Sequence, residues 1–283
     1  MKLSKKKSLG QNFLRDENIL KKIVQSAEVD KSDKVLEIGP GDGALTVELL
    51  RQAGQIIAVE KDQRLQAPGS PLLKLQQQFL DKNKEESKLK LYFQDILEIN
   101  LPEILQTNNF MNNGYKVVAN IPYYITGKII RLLFQLKDRP TLIVLLTQKE
   151  VAERICATTG KNSIISLAVQ YYAQPEITTI VPKEAFEPIP KVDSAILKMV
   201  LKKEEDIDKQ EEKDFFRLIK IGFSSPRKKL LNNLSAGLQV DKEAIEKIFQ
   251  QMNIKLNIRA EELSLAEWKK LTTQLVSEFQ YLF

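Results

Sequence analysis

Histidine is absent from this 283-residue chain, and cysteine occurs once, as Cys156. Without histidine the chain cannot form a Ser-His or Cys-His catalytic pair, and it lacks the commonest general base and the usual ligand of a catalytic zinc ion. A single cysteine excludes an internal disulfide and a cysteine-rich zinc or iron–sulfur site. Any chemistry must therefore use carboxylates, amides, aromatic rings and backbone groups, and we expect no metal.

Long apolar runs are also absent. No stretch approaches the roughly 18 apolar residues of a membrane span, and the basic N-terminus, MKLSKKKSLGQNFL, lacks the apolar core of a secretory signal. The composition, 43% hydrophobic and 28% charged, is that of an ordinary globular protein. We therefore expect a cytoplasmic protein.

Positive charge is concentrated at the start of the chain. The net charge is +6 and the isoelectric point is near 9.1. Residues 1–22 supply most of this excess, with Lys2, Lys5, Lys6, Lys7, Arg15, Lys21 and Lys22 against Asp16 and Glu17. Such an arm fits a phosphate backbone or another polyanion. The alternative is a solvated tail without a partner.

Strand and helix patterns alternate through the first two thirds of the chain. Asp16 is a candidate cap for a helix over 16–29. Apolar runs predict strands at 34–38, 55–60, 89–95, 115–120, 141–147 and 194–201, and helical patterns lie at 44–52, 126–136 and 149–157. This alternation predicts a doubly wound α/β sheet. The polar piece 66–90, interrupted by proline and glycine, is predicted to be a surface insertion.

A charged stretch near residues 201–214, KKEEDIDKQEEKD, precedes a region that reads as helical throughout. FFRLIKIGF, KKLLNNL, KEAIEKIFQQM and LAEWKKLTTQL each have helical spacing of apolar residues. We therefore predict two domains, an α/β domain at 1–202 and a small helical domain at 203–283.

A glycine turn, GPGDG at 39–43, lies between a predicted strand and a predicted helix. Glycines there let the backbone approach a ligand closely. Glu60 ends the next strand, where an acid can bind ribose hydroxyls, and Asp95 ends the third strand, where a carboxylate can accept from an adenine amino group. The turn lacks the GxGxxG spacing that seats a pyrophosphate. These features favour S-adenosyl-L-methionine over a dinucleotide.

The stretch ANIPYYIT at 119–126 follows another predicted strand. An adenine N6 is a poor nucleophile because its lone pair is spread into the ring. The side-chain oxygen of Asn120 and the carbonyl of Ile121 could accept from its two N–H groups and localise that lone pair, while Pro122 stiffens the turn. Tyr123 could stack on the base. The sequence therefore predicts methyl transfer to an amine, driven by positioning and electrostatics without a general base.

A series of motifs in one order covers nearly the whole chain. They are QNFL at 11–14, VLEIGPGDGALT at 35–46, AVEKD at 58–62, FQD at 93–95, NIPYYIT at 120–126, QKEVAERI at 148–155, FEPIPKVDSAI at 186–196, FSSPRKKLLNNL at 223–234 and IRAEELSLAEW at 258–268. Together they resemble the KsgA/Dim family of small-subunit rRNA adenine dimethyltransferases. The combination of NIPY, FxPxPKVDS and the RKKxxxN segment is specific to this family, whereas GxGxG alone occurs in many families.

The resemblance implies a Rossmann-like class I methyltransferase domain with a helical rRNA-binding domain, acting as a monomer on assembling small subunits. The family uses S-adenosyl-L-methionine to dimethylate N6 of two adjacent adenosines in the 3′ hairpin of small-subunit rRNA. By motif match, the cofactor residues are Asn12, Leu14, Gly39, Gly41, Glu60, Asp95 and Asn120. The catalytic segment is Asn120, Ile121, Pro122 and Tyr123, and the stacking residues are Tyr123 and Phe186. Lys5, Lys6, Lys7, Arg227, Lys228 and Lys229 are candidates for contacts with rRNA phosphates.

Three other interpretations remain open. Large-subunit rRNA methyltransferases of the macrolide-resistance type share the fold and the NIPY chemistry. DNA adenine methyltransferases use similar chemistry but usually a [DN]PP[YF] motif, which this chain lacks. A ribosome-assembly factor could keep the fold without turnover. Within the NIPYY segment, Tyr124 stands where the family often has asparagine, and we expect that change to be tolerated.

Overall fold

The computed structural model describes residues 13–81, 86–111, 114–157 and 160–280 of the chain. Its main sheet has seven strands, which we number in chain order: β1 Lys34–Ile38, β2 Gln55–Val59, β3 Leu89–Tyr92, β4 Lys116–Asn120, β5 Leu142–Gln148, β6 Ala173–Val181 and β7 Ser194–Leu201. The strands lie in the order β3-β2-β1-β4-β5-β7-β6. The pairs among β3, β2, β1, β4 and β5 are parallel, and β7 runs antiparallel to β5.

The described residues form eleven α-helices. They are α1 Glu17–Ser26, α2 Ala44–Gln52, α3 Pro71–Gln78, α4 Leu101–Thr107, α5 Thr126–Gln135, α6 Lys149–Cys156, α7 Ile164–Tyr172, α8 Lys209–Gly222, α9 Leu230–Leu238, α10 Lys242–Gln251 and α11 Leu265–Glu278. Helices α3 and α4 were not predicted from the sequence. Asp16 caps α1 as predicted, because its side chain accepts from the amides of Asn18 and Ile19. The predicted doubly wound α/β fold is confirmed. No helix within the described ranges is long and apolar enough to span a membrane.

The parallel strands are buried on both sides, which explains their nearly unbroken apolar sequences. In β1, Val35 and Leu36 have no exposed surface, and Ile38 is 2% exposed. The core around them also contains apolar side chains of α1 and α2. The parallel strands therefore end together at one edge of the sheet, where glycine turns and polar residues follow them.

The segment 66–90 differs from its prediction as a surface insertion. Pro71–Gln78 forms helix α3, with Ser70 as its N-cap and proline in the first turn. Leu72 of this helix is fully buried. A short antiparallel pair, Leu80–Asp81 with Glu86–Ser87, follows it. The segment therefore contains a helix of eight residues with a buried side chain, in the connection between β2 and β3. The polar residues around it led the composition to indicate a surface insertion instead.

The chain divides into two compact units. The first, which we call the sheet unit, contains Met1–Ala152 and Pro175–Leu201; the second, the helical unit, contains Glu153–Gln174 and Lys202–Phe283. The division at Leu201 lies one residue from the domain boundary predicted at 202/203. The predicted boundaries differ from the structure in 153–174, which we assigned to the α/β domain and which belongs to the helical unit.

Contacts within the helical unit explain why residues 153–174 belong there. Tyr171 of α7 stacks on Phe215 of α8, with ring centroids 4.7 Å apart. The side-chain amide of Asn162 donates to the carbonyl of Leu263 at 2.8 Å. These contacts join residues far apart in sequence, so the local pattern of 153–174 could not reveal them.

Candidate functional site

The glycine turn between β1 and α2 fixes one carboxylate. The Gly41 amide donates to Glu60 Oε2 at 2.9 Å, and the Asp62 amide donates to Glu60 Oε1 at 2.7 Å. Glu60 is only 5% exposed. Burial raises the pKa of Glu60 above its usual range, although the amide hydrogen bonds oppose the shift. The turn therefore holds Glu60 in one orientation, directly after the carboxyl end of β2.

Two glycines of the turn have positive φ and close neighbours, so a side chain is excluded at both. Gly41 has φ +59°, and an added Cβ would lie 3.3 Å from the ring of Phe13. Gly43 has φ +90°, and a Cβ there would lie 2.7 Å from Leu75 of α3. Glycine at both positions therefore lets Phe13 and α3 pack closely against the turn.

Asp95 lies beyond the end of β3 and is already bonded on both oxygens. Lys61 Nζ donates to its Oδ2 at 2.6 Å, and the Leu97 amide donates to Oδ1 at 3.0 Å. Burial would raise the pKa of Asp95, but the hydrogen bonds from Lys61 and Leu97 outweigh it and the pKa is lowered. Asp95 is therefore ionised at neutral pH and available as an acceptor.

The NIPY segment leaves the sheet at the end of β4. Asn120 is the last residue of that strand, in register with Leu146 of β5. After Pro122, residues Tyr123–Ile125 form a short 3-10 turn. The Tyr123 hydroxyl lies 2.6 Å from the Ser194 hydroxyl, and Ser194 is fully buried. The ring of Tyr123 is thus held by β7, an anchor that the local sequence does not reveal.

A two-residue strand pair closes the site on another side. Phe13–Leu14 runs antiparallel to Phe186–Glu187, with Leu14 opposite Phe186. Both Leu14 and Phe186 are buried. This pairing explains how the QNFL and FEPIP motifs, more than 170 residues apart, reach the same place.

Most of the residues predicted to bind the cofactor and the acceptor base line one cavity. Its lining includes Leu14, Gly39, Gly41, Glu60, Asp95, Asn120, Ile121, Pro122, Tyr123 and Phe186. The lining also contains Phe13, Lys61, Ile96 and Tyr124, which sequence reasoning did not assign to the site. Phe13 could have been found from the QNFL motif, and Tyr124 from its place in NIPYY. Lys61 could have been found from the AVEKD motif, whereas Ile96 carries no comparable signal.

The remaining predicted residues fall into two groups. Asn12, Lys5, Lys6 and Lys7 are outside the described residues. Arg227, Lys228 and Lys229 belong to the helical unit, between α8 and α9, and all three are exposed.

A second acid is buried beneath the turn. Glu37, in β1, is 1% exposed, and neither of its carboxylate oxygens has a hydrogen-bond partner. Burial raises the pKa of Glu37 to about 8; the nearby Thr46 hydroxyl opposes this shift, and the charge of Glu60 adds to it. An ionised carboxylate without partners in such a place would be costly. Glu37 is therefore largely protonated at neutral pH.

These residues fit the predicted cofactor. S-adenosyl-L-methionine carries a sulfonium and an ammonium group but no phosphate, so acids beside an open glycine turn suit it. Glu60 and Asp95 supply fixed carboxylates at the ends of neighbouring strands β2 and β3. The site lies at the carboxyl ends of the parallel strands, where open α/β sheets bind their ligands.

Comparison with known proteins agrees with this geometry. Residues 2–271 match the family model for ribosomal RNA adenine dimethylase. A ribosomal RNA small subunit methyltransferase A from Dehalococcoides mccartyi is 41% identical, over 95% of this chain and 88% of the relative. Another protein of that name, from Ligilactobacillus salivarius, is 42% identical, over 97% of this chain and 91% of the relative.

Two solved structures share the fold. A dimethyladenosine transferase from Plasmodium falciparum has a TM-score of 0.74 and 26% identity, covering 95% of this chain and 98% of that one. The 23S rRNA methyltransferase ErmE has a TM-score of 0.72 and 23% identity, covering 93% of this chain and 99% of that one. The likeness to ErmE shows the fold alone. Since the family match takes in both units of this chain, the chain belongs to the ribosomal RNA adenine dimethylases, enzymes that use S-adenosyl-L-methionine.

Proposed function

We propose that this enzyme dimethylates N6 of two adjacent adenosines in the 3′-terminal hairpin loop of small-subunit rRNA, acting on assembling particles as a cytoplasmic monomer. The observation that carries the proposal is the single cavity in which Asn120, Tyr123 and Phe186 meet the glycine turn and Glu60. Two relatives named for the small subunit are 41% and 42% identical to this chain, over 95% and 97% of its length. This similarity favours the small subunit as the target.

The acceptor chemistry follows from the NIPY segment. The side-chain oxygen of Asn120 and the carbonyl of Ile121 accept from the two N6 protons, which moves the nitrogen toward tetrahedral geometry and localises its lone pair. When bound, the cofactor supplies an electrophilic methyl group on a sulfonium sulfur. The methylated nitrogen carries a positive charge and is acidic, so it loses its proton to water without a histidine base. In the second transfer the remaining N6 proton donates to one of these two acceptors, the lone pair takes the methyl group of a second cofactor molecule, and that proton is then released.

Stacking explains how the base is held while this occurs. Tyr123 is fixed by the Ser194 hydroxyl at 2.6 Å, and Phe186 is fixed by strand pairing with Leu14. Rings on the two sides of an adenine provide a stacking site that tolerates repeated entry of the base. A target in a hairpin loop must leave its own stack to reach them, at a cost of a few kcal/mol.

The basic loop after α8 supports an RNA partner. Arg227, Lys228 and Lys229 are consecutive and exposed, so they can neutralise phosphates without depending on base identity. The predicted contacts of Lys5, Lys6 and Lys7 remain part of the proposal.

The test is labelled methyl transfer to small- and large-subunit particles from cells that lack the modification. Primer extension then locates the product, because two methyl groups on N6 block Watson–Crick pairing and stop reverse transcriptase. We expect label in the small subunit and a stop in its 3′ hairpin. Label in the large subunit would favour the resistance-type target, and no label despite cofactor binding would favour the assembly-factor interpretation.

A further inference from the structure

Large apolar side chains are exposed at the edge of the candidate site. Tyr124 is 65% exposed and Ile189 is 62% exposed, the two highest values among large apolar residues in the described part of the chain. Val192 is 44% exposed. We call these three residues the apolar rim. Apolar groups left in water beside a functional cavity are typical of a surface that a partner covers.

Both parts of the apolar rim are tied to the cavity through the chain. Tyr124 lines the cavity directly. Ile189 and Val192 lie in the segment between Phe186, which lines the same cavity, and Ser194, whose hydroxyl lies 2.6 Å from that of Tyr123. Both ends of this segment are therefore held at the site, and Ile189 and Val192 are close to it along the chain.

The acceptor reaches the site through the opening of the cavity, and this limits what can cover the rim. A nucleotide whose base enters the cavity stays covalently joined to the nucleotides before and after it, so those neighbours must lie at the entrance. In a hairpin loop these neighbours can be splayed out of their stack, and their apolar faces can then stack on aromatic side chains. Two exposed lysines lie near the apolar rim in the sequence: Lys128 follows Tyr124, and Lys191 lies between Ile189 and Val192. Their positive charge suits the phosphates that connect these nucleotides.

We propose that the apolar rim binds the bases that flank the target adenosine, with Tyr124 as the stacking face and Ile189 as an apolar contact. This inference rests on the proposed function, since it assumes that an RNA loop delivers the base. It assigns to Tyr124 a role in RNA binding that is separate from the role of Tyr123 on the target base itself. It also gives the enzyme a means to position the neighbouring adenosine of the pair for the next transfer.

The experiment compares steady-state methyl transfer to unmodified small-subunit particles by the wild type, Tyr124→Ala, Tyr124→Phe and Ile189→Ser. Leu256→Ser is the matched control, because Leu256 is an exposed apolar residue of the helical unit. We expect Tyr124→Ala to raise KM for the particle about tenfold, in the range of one lost base–aromatic stack. Tyr124→Phe and Leu256→Ser should keep the wild-type KM, and Ile189→Ser should lie between.

Cofactor affinity, measured by calorimetry without RNA, shows whether Tyr124 contacts the cofactor or the RNA. We expect the cofactor Kd of Tyr124→Ala to equal that of the wild type. A cofactor Kd weakened in proportion to the KM effect would assign Tyr124 to the cofactor and overturn the proposal. An unchanged KM in Tyr124→Ala would overturn it as well.

A second measurement uses particles rebuilt with an abasic nucleotide beside the target adenosine. Loss of that base should reduce kcat/KM of the wild type about tenfold and leave Tyr124→Ala unaffected, because the stack is already absent. Equal losses in both proteins would contradict the proposal. If the wild type does not methylate intact particles, the proposed function is refuted, and the rim proposal fails with it. If the wild type is active but the rim variants have wild-type kinetics, only the rim proposal is refuted.

Discussion

The two ends of the cavity are built in opposite ways. At the proposed cofactor end Glu60 is 5% exposed, and backbone amides of Gly41 and Asp62 donate to its two oxygens. At the acceptor mouth Tyr124 is 65% exposed and Ile189 is 62% exposed. One end is complete within the chain, and the other leaves apolar surface in water.

This difference matches the two substrates. A small cofactor gains affinity from a site that is already formed, because binding then costs little ordering of side chains. A large RNA brings its own apolar faces and phosphates, so the protein need only present a surface that the RNA covers. The predictions below test the two ends separately, beginning with Asn120, which is proposed to contact both cofactor and acceptor.

Asn120→Ala should have the largest effect. Asn120 ends β4 in the shared cavity, and its side-chain oxygen is the proposed acceptor for one N6 proton. Loss of one such preorganised contact costs up to about a thousandfold in kcat. We expect methyl transfer to be abolished within the limits of a label assay, while the melting temperature stays at the wild-type value.

Gln52→Ala is the control for this prediction, because Gln52 is an exposed amide at the end of α2. It should leave both activity and melting temperature unchanged. Normal turnover by Asn120→Ala would remove the proposed mechanism.

Reversing the basic loop should impair RNA binding and leave the cofactor end intact. In the triple variant Arg227→Glu, Lys228→Glu, Lys229→Glu we expect a large loss of particle affinity. The slope of log affinity against log salt should fall by roughly two to three, as for three lost phosphate contacts. Filter binding over a range of salt concentrations measures this, and the cofactor Kd should not change.

The matched control changes charge equally in the same unit. Lys242, Lys247 and Lys255 are exposed residues of the helical unit, and replacing all three by glutamate should affect the slope less. Equal slopes for the two triple variants would mean that the loop contributes only net charge.

Gly41→Ala should damage the cofactor end alone. An alanine at φ +59° is strained, and its Cβ would lie 3.3 Å from the Phe13 ring. We expect the cofactor Kd to weaken about tenfold, equivalent to ~1.4 kcal/mol, because the turn or the Phe13 ring must move to relieve this contact. Gly69→Ala has the same backbone strain, at φ +81°, with nothing within 4 Å of the new Cβ. It should lower stability and leave the Kd unchanged; a similar Kd for both variants would show that the contact at Gly41 is unimportant.

Glu37→Gln tests the buried acid beneath the turn and has the smallest expected effect on activity. The folded pKa is raised from 4.5 to about 8, so the folded state keeps a proton that the unfolded state releases. The stability from this proton is complete below about pH 4.5 and is lost as pH rises toward about 8. The slope is at most ~1.4 kcal/mol per pH unit for one proton.

Thermal unfolding from pH 5 to pH 9 measures this dependence. The wild type should lose stability as pH rises, and Glu37→Gln should lose less, because glutamine mimics the protonated acid without titrating. Glu17→Gln, at an exposed position, should retain the wild-type dependence. The same slope in Glu37→Gln and wild type would mean that Glu37 is ionised in the folded protein.

Local patterns predicted most of the fold. Helix α2 has the predicted bounds, and β1 matches its predicted strand, because each depends on short-range periodicity and on the glycines between them. Helix α3 was missed because only Leu72, Leu75 and Phe79 mark its apolar face among polar neighbours. Residues 153–174 were assigned to the other unit because the stack of Tyr171 on Phe215 is a long-range contact.

In the candidate site, too, the residues marked by local patterns were predicted and the long-range contacts were not. Gly41, Glu60 and Asn120 could be predicted because each lies at or just after the end of a strand that the sequence pattern indicates. The bond from Tyr123 to Ser194 and the ion pair of Lys61 with Asp95 depend on how distant segments meet. Long-range contacts of this kind have no local signal, so a sequence can suggest the chemistry but not how firmly each side chain is held.

The most direct test of the account is the identity of the modified nucleoside. Wild type and Asn120→Ala are incubated with unmodified small-subunit particles and S-adenosyl-L-methionine, and the digested RNA is analysed by mass spectrometry. We predict N6,N6-dimethyladenosine with the wild type and none with the variant. A different methylated nucleoside from the wild type, or dimethyladenosine from both proteins, would contradict the assignment of Asn120 and Ile121 to an adenine amino group.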